Sequence, residues 1–168
     1  MTVEIPTTRG FVALVDEVDA ALVAGYSWHV AISGEEPNVQ RYAHAHIPGS
    51  GSGGSNIKMH RLIMGAPPRM DVDHRDHDGL NNRRENLRLA TRSQNMANGR
   101  IRPDNTSGFR GVTWDVERGA WRAQIMVAGR KSFLGRFPSA EEAARAYDAA
   151  VLEAFGEFAT LNFPGESK

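Results

Sequence analysis

Four polar side chains near the middle of the chain have types and spacing suited to hydrolytic chemistry: Asp73, His74, Asn86 and Asn95. The ordinary pKa of histidine lies near neutrality, so His74 can take a proton from an attacking water molecule. Asp73 and Asn95 offer hard oxygen ligands, which favour Mg²⁺ or Mn²⁺ over Zn²⁺. Such an ion stabilises charge on a phosphate and its leaving group. The set predicts metal-assisted hydrolysis of a phosphodiester.

The local pattern predicts that these residues meet, because strand, loop, strand and short helix follow one another. The predicted elements are a strand at Met70–His74, a polar loop at 75–85, a half-buried strand at Asn86–Ala90 in which Leu87 and Leu89 alternate with polar residues, and a helix to Asn98 capped by Thr91 or Ser93. A hairpin would set His74 opposite Asn86, which could hold the imidazole in its working orientation. The helix would present Asn95 towards Asp73.

Other polar residues of this region have simpler interpretations. We expect turn structure for Asp76, Asp78, Asn81 and Asn82, a solvated side chain for His77, a packed core position for His60, and no catalytic part for His29, His44 and His46. The nearby arginines could clamp phosphates or could be solvated: Arg83, Arg84, Arg88 and Arg92.

The stretch Val72–Asn98, VDHRDHDGLNNRRENLRLATRSQNMAN, resembles the HNH endonuclease motif in the H-N-N variant of phage and intron homing endonucleases. The flanking MHRLIMG and LNNRRENLR are also typical of these proteins. The resemblance implies a ββα-metal fold that hydrolyses DNA with one divalent ion, Mg²⁺ or Mn²⁺. It implies that His74 is the general base, that Asn86 orients it, and that Asp73 and Asn95 are the metal ligands.

Two other functions remain open at this point. The chain could be a DNA-binding regulator whose HNH motif is vestigial and does not cut. It could also be a protein-interaction module, although this function leaves the spacing of the four polar residues unexplained.

The C-terminal segment predicts three strands and a helix. The predicted strands are Phe109–Asp115, Ala120–Ala128 and Arg130–Phe137, with turns at Gly119 and Gly129. Ser139 and Glu142 form a capping-box pattern, and Gly156 is a helix stop. An apolar helix face is predicted at Ala143, Tyr147, Ala150 and Ala154. Strand alternation predicts that Trp121, Ala123 and Ile125 face this helix, while Arg122, Gln124 and Met126 face outwards.

Residues Gly108–Pro164 resemble the ethylene-response-factor (Apetala-type) DNA-binding domain, through FRGV, WRAQI, FLGRF, AEEAARAYDAAV and LNFP. The resemblance implies that the sheet lies in the DNA major groove and that the helix backs it. Arg110 and Lys131 match basic DNA-contacting positions, and Phe133 replaces a family tryptophan. Arg122 and Gln124 are further candidate contacts. Thr113, Gln124 and Met126 differ from the plant pattern, so we do not expect the plant target sequence to transfer.

Together these features predict an α+β protein with residues 1–98 as the nuclease domain, 99–107 as a linker and 108–164 as the DNA-binding domain. The N-terminal part, 1–57, is predicted to be β-rich, with strands Phe11–Val15, Tyr26–Ile32 and Arg41–Ile47, a helix carrying Val18, Ala21 and Leu22 at helical spacing, and a flexible loop Pro48–Ser55. The motif region is 58–98.

Charge distribution is compatible with DNA as the partner. The net charge is zero overall but −4 over residues 1–57 and +5 over 58–102, so a polyanion meets local basic zones.

The absence of cysteine excludes disulfides and thiol chemistry. No apolar run approaches the roughly 20 residues needed to span a membrane, and no signal peptide is evident. We therefore expect no membrane association and a cytoplasmic location, in a bacterial host cell if the gene is phage-borne. The sequence leaves the oligomeric state open, with a monomer slightly favoured.

Overall fold

A computed structural model of the chain describes residues 1–34, 38–48, 54–101 and 103–165. The fold is α+β, as predicted, and all its strand pairs within named sheets are antiparallel. The backbone separates into two compact units, Met1–Thr91 and Arg92–Lys168. Among the described residues, no helix combines the length and apolar composition needed to cross a lipid bilayer.

In its described residues, the N-terminal unit contains three small sheets and two short α-helices. Its elements are β1 (Thr2–Pro6), β2 (Val12–Asp16), α1 (Glu17–Val23), β3 (Trp28–Ser33), β4 (Gln40–Ile47), β5 (Ser55–Lys58), α2 (Met59–Met64), β6 (Asp71–His74) and β7 (Leu87–Ala90). Strands β1 and β2 pair, β3, β4 and β5 form a sheet in that order, and β6 pairs with β7. One apolar core, which includes Val15, Trp28 and Met59, joins these elements.

Two strands of this unit carry no clear sequence signal. Strand β1 is held by its ladder to β2, and β5 by its ladder to β4. The predicted loop Pro48–Ser55 ends in β5, while residues 49–53 of that loop lie outside the described residues. The ladder to the neighbouring strand, rather than the residue types of β1 and β5 themselves, decides such strands.

Helix α1 buries a different face from the one that its apolar residues predict. Val18 and Leu22 are 80% and 43% exposed, whereas Asp19 is 2% exposed. Asp19 accepts hydrogen bonds of 2.8 and 2.7 Å from the Arg84 guanidinium. A carboxylate can be buried when a cation pairs with it, so the helix is present as predicted but buries Asp19 instead of Val18 and Leu22.

Strand β7 also departs from simple alternation. Leu87 is 4% exposed as expected, but Leu89 is 38% exposed and Arg88 only 8%. Arg88 and Ala90, which lie on the face of the strand opposite Leu87 and Leu89, are therefore both buried. The cause is the pairing of Arg88 with Asp73, described below.

The C-terminal unit confirms the predicted three-stranded sheet packed on a helix. Its elements are α3 (Arg92–Asn98), β8 (Val112–Asp115), β9 (Ala120–Val127), β10 (Arg130–Phe137) and α4 (Ala140–Phe155), with sheet order β10-β9-β8. Ser139 caps α4, because its Oγ accepts a hydrogen bond of 3.2 Å from the Glu142 amide. Gly156 ends α4 with a φ of 52°, as predicted.

Contacts of α4 with the sheet are largely those predicted. Ala143 and Tyr147 are buried, and so are Ala123 and Ile125 of β9. Ala154 is exposed, contrary to the prediction, because Ala144 and Val151 complete the buried face instead. Gly111 adopts a φ of 71°, and a Cβ there would overlap the Tyr147 ring, so glycine lets the chain before β8 lie against the helix.

Candidate active site in the N-terminal unit

The β6–β7 hairpin brings His74 and Asn86 to the same end of the two strands as predicted, but the register differs by one position from the predicted pairing of His74 with Asn86. His74 is the cross-strand partner of Leu87, and the Arg75 amide donates a 2.9 Å hydrogen bond to the Asn86 carbonyl oxygen. Asp73 precedes His74 at the end of the short strand β6. Asp73, His74 and Asn86 are 4%, 5% and 6% exposed. Three of the four predicted residues thus share one buried hairpin end.

The Asn86 side chain holds the loop between the two strands. Its Nδ2 donates to Asp76 Oδ1 and to the Asn81 carbonyl oxygen, both at 2.8 Å, and its Oδ1 accepts from the Asp76 amide at 3.1 Å. Asn81 Nδ2 donates to Asp76 Oδ2 at 2.6 Å. Burial raises the pKa of Asp76, but the hydrogen bond from the Asp78 amide, together with those from Asn81 and Asn86, outweighs this effect and holds the pKa below its usual value. Asn86 therefore shapes the loop that covers His74.

Asn82 is the side chain that lies against the His74 imidazole. Asn82 Oδ1 is 3.4 Å from His74 Nε2, and Asn82 is fully buried. Its Nδ2 donates to the Leu80 carbonyl oxygen at 3.1 Å, which fixes the amide with Oδ1 towards the ring. An amide oxygen only accepts, so this contact is a hydrogen bond in the neutral tautomer that carries its proton on Nε2 and its lone pair on Nδ1.

The loop itself is attached to the rest of the unit. The Leu14 amide donates to the Leu80 carbonyl oxygen at 2.8 Å, and the Asn82 amide donates to the Leu14 carbonyl oxygen at 2.7 Å. Gly79 lies against β4, where a Cβ would overlap the Arg41 carbonyl oxygen. These contacts fix Asn82, and through it the imidazole.

Two further rings surround His74. The centroid of His60 is 5.0 Å from that of His74 with an interplanar angle of 87°, and the Tyr42 centroid is 5.7 Å away. His60 is 5% exposed, as expected for a packed core histidine. Burial lowers the pKa of His74, while the hydrogen bond to Asn82 and the nearby Asp76 oppose the shift. His74 is thus favoured in its neutral form, which is the form that accepts a proton.

Asp73 forms a buried ion pair with Arg88. Arg88 Nε and Nη2 both lie 2.7 Å from Asp73 Oδ2. The two residues are direct cross-strand partners in the β6–β7 ladder. A carboxylate has two oxygens and about four lone-pair directions, so this pairing is compatible with a metal ligand role for Asp73.

The other predicted arginines of this region differ in their partners. Arg84 pairs with Asp19 and donates to the Ile63 carbonyl oxygen at 3.2 Å. Arg83 donates to Asn81 Oδ1 at 2.9 Å and pairs with Glu85. Arg92 is exposed at the start of α3. Their contacts with DNA stay predictions.

The fourth predicted site residue, Asn95, lies on α3 in the C-terminal unit. Ala97 of α3 packs with Ile125, Tyr147 and Val151. Within the described ranges, no group of three or more histidine, cysteine, aspartate or glutamate side chains is arranged to hold a metal. The two predicted donors, Asp73 and Asn95, carry a carboxylate and an amide oxygen, and hard oxygen donors of this kind favour Mg²⁺ or Mn²⁺.

The predicted DNA-binding residues of the C-terminal unit lie on strands β9 and β10, apart from Arg110, which lies before β8. Lys131 is exposed on β10, and Phe133 on the same strand is 58% exposed opposite Gln124 of β9. Arg122 lies on β9 and is partly buried. Arg110 lies before β8, and its Nη2 donates a 2.7 Å hydrogen bond to the Ala97 carbonyl oxygen at the end of α3.

Sequence reasoning missed Asn82 and Asp76, which it assigned to ordinary turns. Both do form turn hydrogen bonds, but Asn82 also contacts His74 and Asp76 binds Asn86. A run of two asparagines in a loop gives no signal of which amide will point inwards.

Two family models match the chain, one described as HNH endonuclease over residues 58–97 and one as AP2 domain over 107–157. An uncharacterized HNH endonuclease of Acanthamoeba polyphaga mimivirus is 31% identical over 160 residues, or 92% of this chain and 76% of the relative. Protein 3.8 of Escherichia phage T7 is 38% identical over 60 residues, 36% of this chain and 50% of the phage protein. Dehydration-responsive element-binding protein 2A of Arabidopsis thaliana is 46% identical over 65 residues, 37% of this chain and 19% of the plant protein. No solved structure matches the chain. Both resemblances that the motifs suggested are confirmed.

Proposed function

Because the chain belongs to the HNH endonuclease family, we propose that it hydrolyses DNA phosphodiester bonds with one divalent metal ion and His74 as the general base. The chain joins an HNH endonuclease domain to an AP2 domain, which supports DNA as the substrate. The single observation that carries the mechanism is the buried hairpin end, where Asp73 and His74 lie beside Asn86.

His74 would deprotonate the attacking water through Nδ1. Asn82 Oδ1, 3.4 Å from Nε2, would accept from this nitrogen and so hold the ring and its tautomer. Asn86 would act one step further away, by fixing the loop that carries Asn82. Because burial lowers the pKa of His74, the ring would be ready to accept a proton at neutral pH.

Asp73 and Asn95 would hold the metal ion, Mg²⁺ or Mn²⁺. The bound ion supplies positive charge for the phosphate and the leaving oxygen. This part of the proposal rests on the motif spacing and on the oxygen chemistry of the two side chains. Arg83, Arg84 and Arg92 would contact phosphates from the same region.

The C-terminal domain would grip the target DNA. The exposed Lys131 and Phe133 on β10 support the sheet as the contacting surface, together with Gln124 and Arg122 of β9. Glutamine and arginine can read adenine and guanine edges.

The direct test is conversion of supercoiled plasmid to nicked or linear DNA with Mg²⁺ or Mn²⁺. We expect wild type to convert the plasmid, His74→Ala to lose nearly all activity, and Asn82→Ala to retain activity reduced ~10- to 100-fold, the usual cost of losing a partner that orients a functional side chain. A cooperative transition in urea unfolding serves as the folding control for each variant.

Two outcomes would contradict the proposal. Equal activity of wild type and His74→Ala would remove His74 as the base. DNA retention that is identical with and without divalent metal, with no cleavage by wild type, would instead identify a non-cutting DNA-binding regulator.

A further inference from the structure

Arg88 occupies a position that hydrophobic patterning does not favour. Its side chain is 8% exposed, while Leu89, the next residue on the strand, is 38% exposed. Burying a guanidinium while a leucine remains in water costs stability, and arginine is almost never fully buried unless paired. Sequences accept such local conflicts mainly at functional sites. The burial of Arg88 therefore indicates that the residue has a functional role.

Two contacts of Arg88 converge on one atom of Asp73. Nε and Nη2 both lie 2.7 Å from Asp73 Oδ2, and the Asp73 side chain is 5% exposed. The two residues face each other directly across the ladder. Because the guanidinium is a rigid planar fork, two short bonds to one oxygen restrict the rotation of the carboxylate group.

Exposure separates Arg88 from its neighbours. The side chains of Arg83 and Arg84 are 33% and 51% exposed, against 8% for Arg88. A side chain that contacts a DNA phosphate must reach the protein surface. Arg88 is therefore the least suited of these three arginines to the phosphate-binding role that its sequence position suggested.

We propose that Arg88 is a positioning residue for the metal site: it fixes the Asp73 carboxylate in the orientation from which Asp73 holds the divalent ion. The inference rests on the proposed function, in which Asp73 is a metal ligand. Partners that orient metal ligands typically change metal affinity or activity by 10- to 100-fold when they are removed. Arg88 acts through Asp73 and touches neither the DNA nor the reacting atoms.

The test compares Mn²⁺ binding by the full chain, followed by electron paramagnetic resonance, in wild type, Arg88→Lys and Arg88→Gln. Lysine keeps the charge without the planar fork, and glutamine keeps a donor without the charge. We expect both variants to raise the Mn²⁺ dissociation constant ~10-fold or more, to raise the Mn²⁺ concentration that half-saturates cleavage, and to leave DNA affinity unchanged.

Asp19→Asn is the matched control, because it breaks another arginine–carboxylate pair in the same unit. Asp19 is 2% exposed and binds Arg84 through two hydrogen bonds. We expect this variant to lose stability in urea unfolding but to keep wild-type Mn²⁺ affinity. A double variant of Asp73→Asn with Arg88→Lys should bind Mn²⁺ no more weakly than Asp73→Asn alone, because Arg88 acts through the carboxylate.

Every other outcome rejects the inference in a recognisable way. The ion pair would be purely structural if both Arg88 variants kept wild-type Mn²⁺ affinity, or if Asp19→Asn lost as much Mn²⁺ affinity as they do. Failure of both Arg88 variants to fold would have the same meaning. Weaker DNA binding with unchanged Mn²⁺ affinity would make Arg88 a phosphate contact. If wild type neither binds Mn²⁺ nor cleaves DNA, the proposed function itself fails; if wild type does both, only the role of Arg88 is in question.

Discussion

At the scale of single residues, burial decides what the polar side chains around the hairpin can do. Asn82 and His60 are as buried as the core leucines, yet both touch the His74 ring. Asn82 is satisfied by Leu80 and His74, whereas His60 Nδ1 is buried without a hydrogen-bond partner. An unpaired buried nitrogen costs free energy, and this cost grows sharply if the ring becomes charged.

His60 should therefore make stability depend on pH. Burial, with a smaller contribution from His74, lowers the pKa of His60 to about 2, from 6.5. Below pH 6.5 the unfolded chain binds a proton at this position and the folded chain does not, so stability is complete above pH 6.5 and falls as the pH drops. Since each pH unit is worth about 1.4 kcal/mol, we expect the His60 contribution to fall by about 2 kcal/mol between pH 7 and 5. Urea unfolding at the two pH values measures it.

The control is His60→Phe, which keeps a ring beside Tyr42 but cannot be protonated. This variant should lose less stability than wild type over the same pH interval. An identical pH dependence in the two proteins would show that His60 does not titrate as its burial predicts.

At the scale of elements, α3 is the informative case. By sequence it is the last part of the HNH match, yet its contacts within the C-terminal unit are extensive. Arg110 Nη2 and the Thr160 amide both donate to the Ala97 carbonyl oxygen, and Thr160 Oγ1 donates to Asn98 Oδ1. The last carbonyl groups of a helix need such partners. The residues that follow the motif thus stabilise the helix that carries Asn95.

Arg110→Met should weaken α3 because it removes the donor to Ala97 while keeping an apolar stem. We expect faster amide hydrogen exchange in residues 96–98, measured by mass spectrometry, with a loss of about 1 kcal/mol, the usual net value of one hydrogen bond. Lys131→Met is the matched control. Lys131 is exposed on β10, so this variant should leave amide hydrogen exchange in α3 unchanged. If Arg110→Met altered DNA affinity without altering this exchange, Arg110 would be a DNA contact as its family position suggests.

At the scale of the whole molecule, charge is distributed so that a neutral chain can still bind a polyanion. The segment 58–102 has a net charge of +5 although the chain has none. Within the C-terminal unit, Lys131 lies on the outer part of the sheet while Arg145 lies on α4 behind it. Lys131 therefore lies on the sheet, whereas Arg145 lies on the helix that packs against the sheet.

Lys131→Ala should weaken DNA binding by the full chain and reduce its dependence on salt. Loss of one phosphate contact lowers the slope of log affinity against log salt concentration by about 1. Fluorescence anisotropy over a range of salt concentrations measures this slope. Arg145→Ala removes the same charge from the helix and should leave the slope unchanged. Equal effects of the two variants would mean that net charge, rather than the sheet face, determines binding.

The sequence by itself determined the two families, the α+β class, the C-terminal sheet with its capped helix, and the position of Asp73, His74 and Asn86 around one hairpin. These features depend on local patterns: a strand, a polar loop and a second strand read along the chain, and a capping box at Ser139. Such signals lie in residues that are neighbours in sequence, so they can be recognised without knowledge of the rest of the fold.

Only the tertiary structure decided which polar side chains turn inwards. Asp19 is buried because Arg84 reaches it across 65 positions of sequence, and Arg88 rather than Leu89 is buried because Asp73 faces it across the ladder. Asn82 touches His74 because β2 holds its loop. A charged or polar group can be buried only if its partner is there, and the partner is chosen by the fold, not by the residues beside it in sequence.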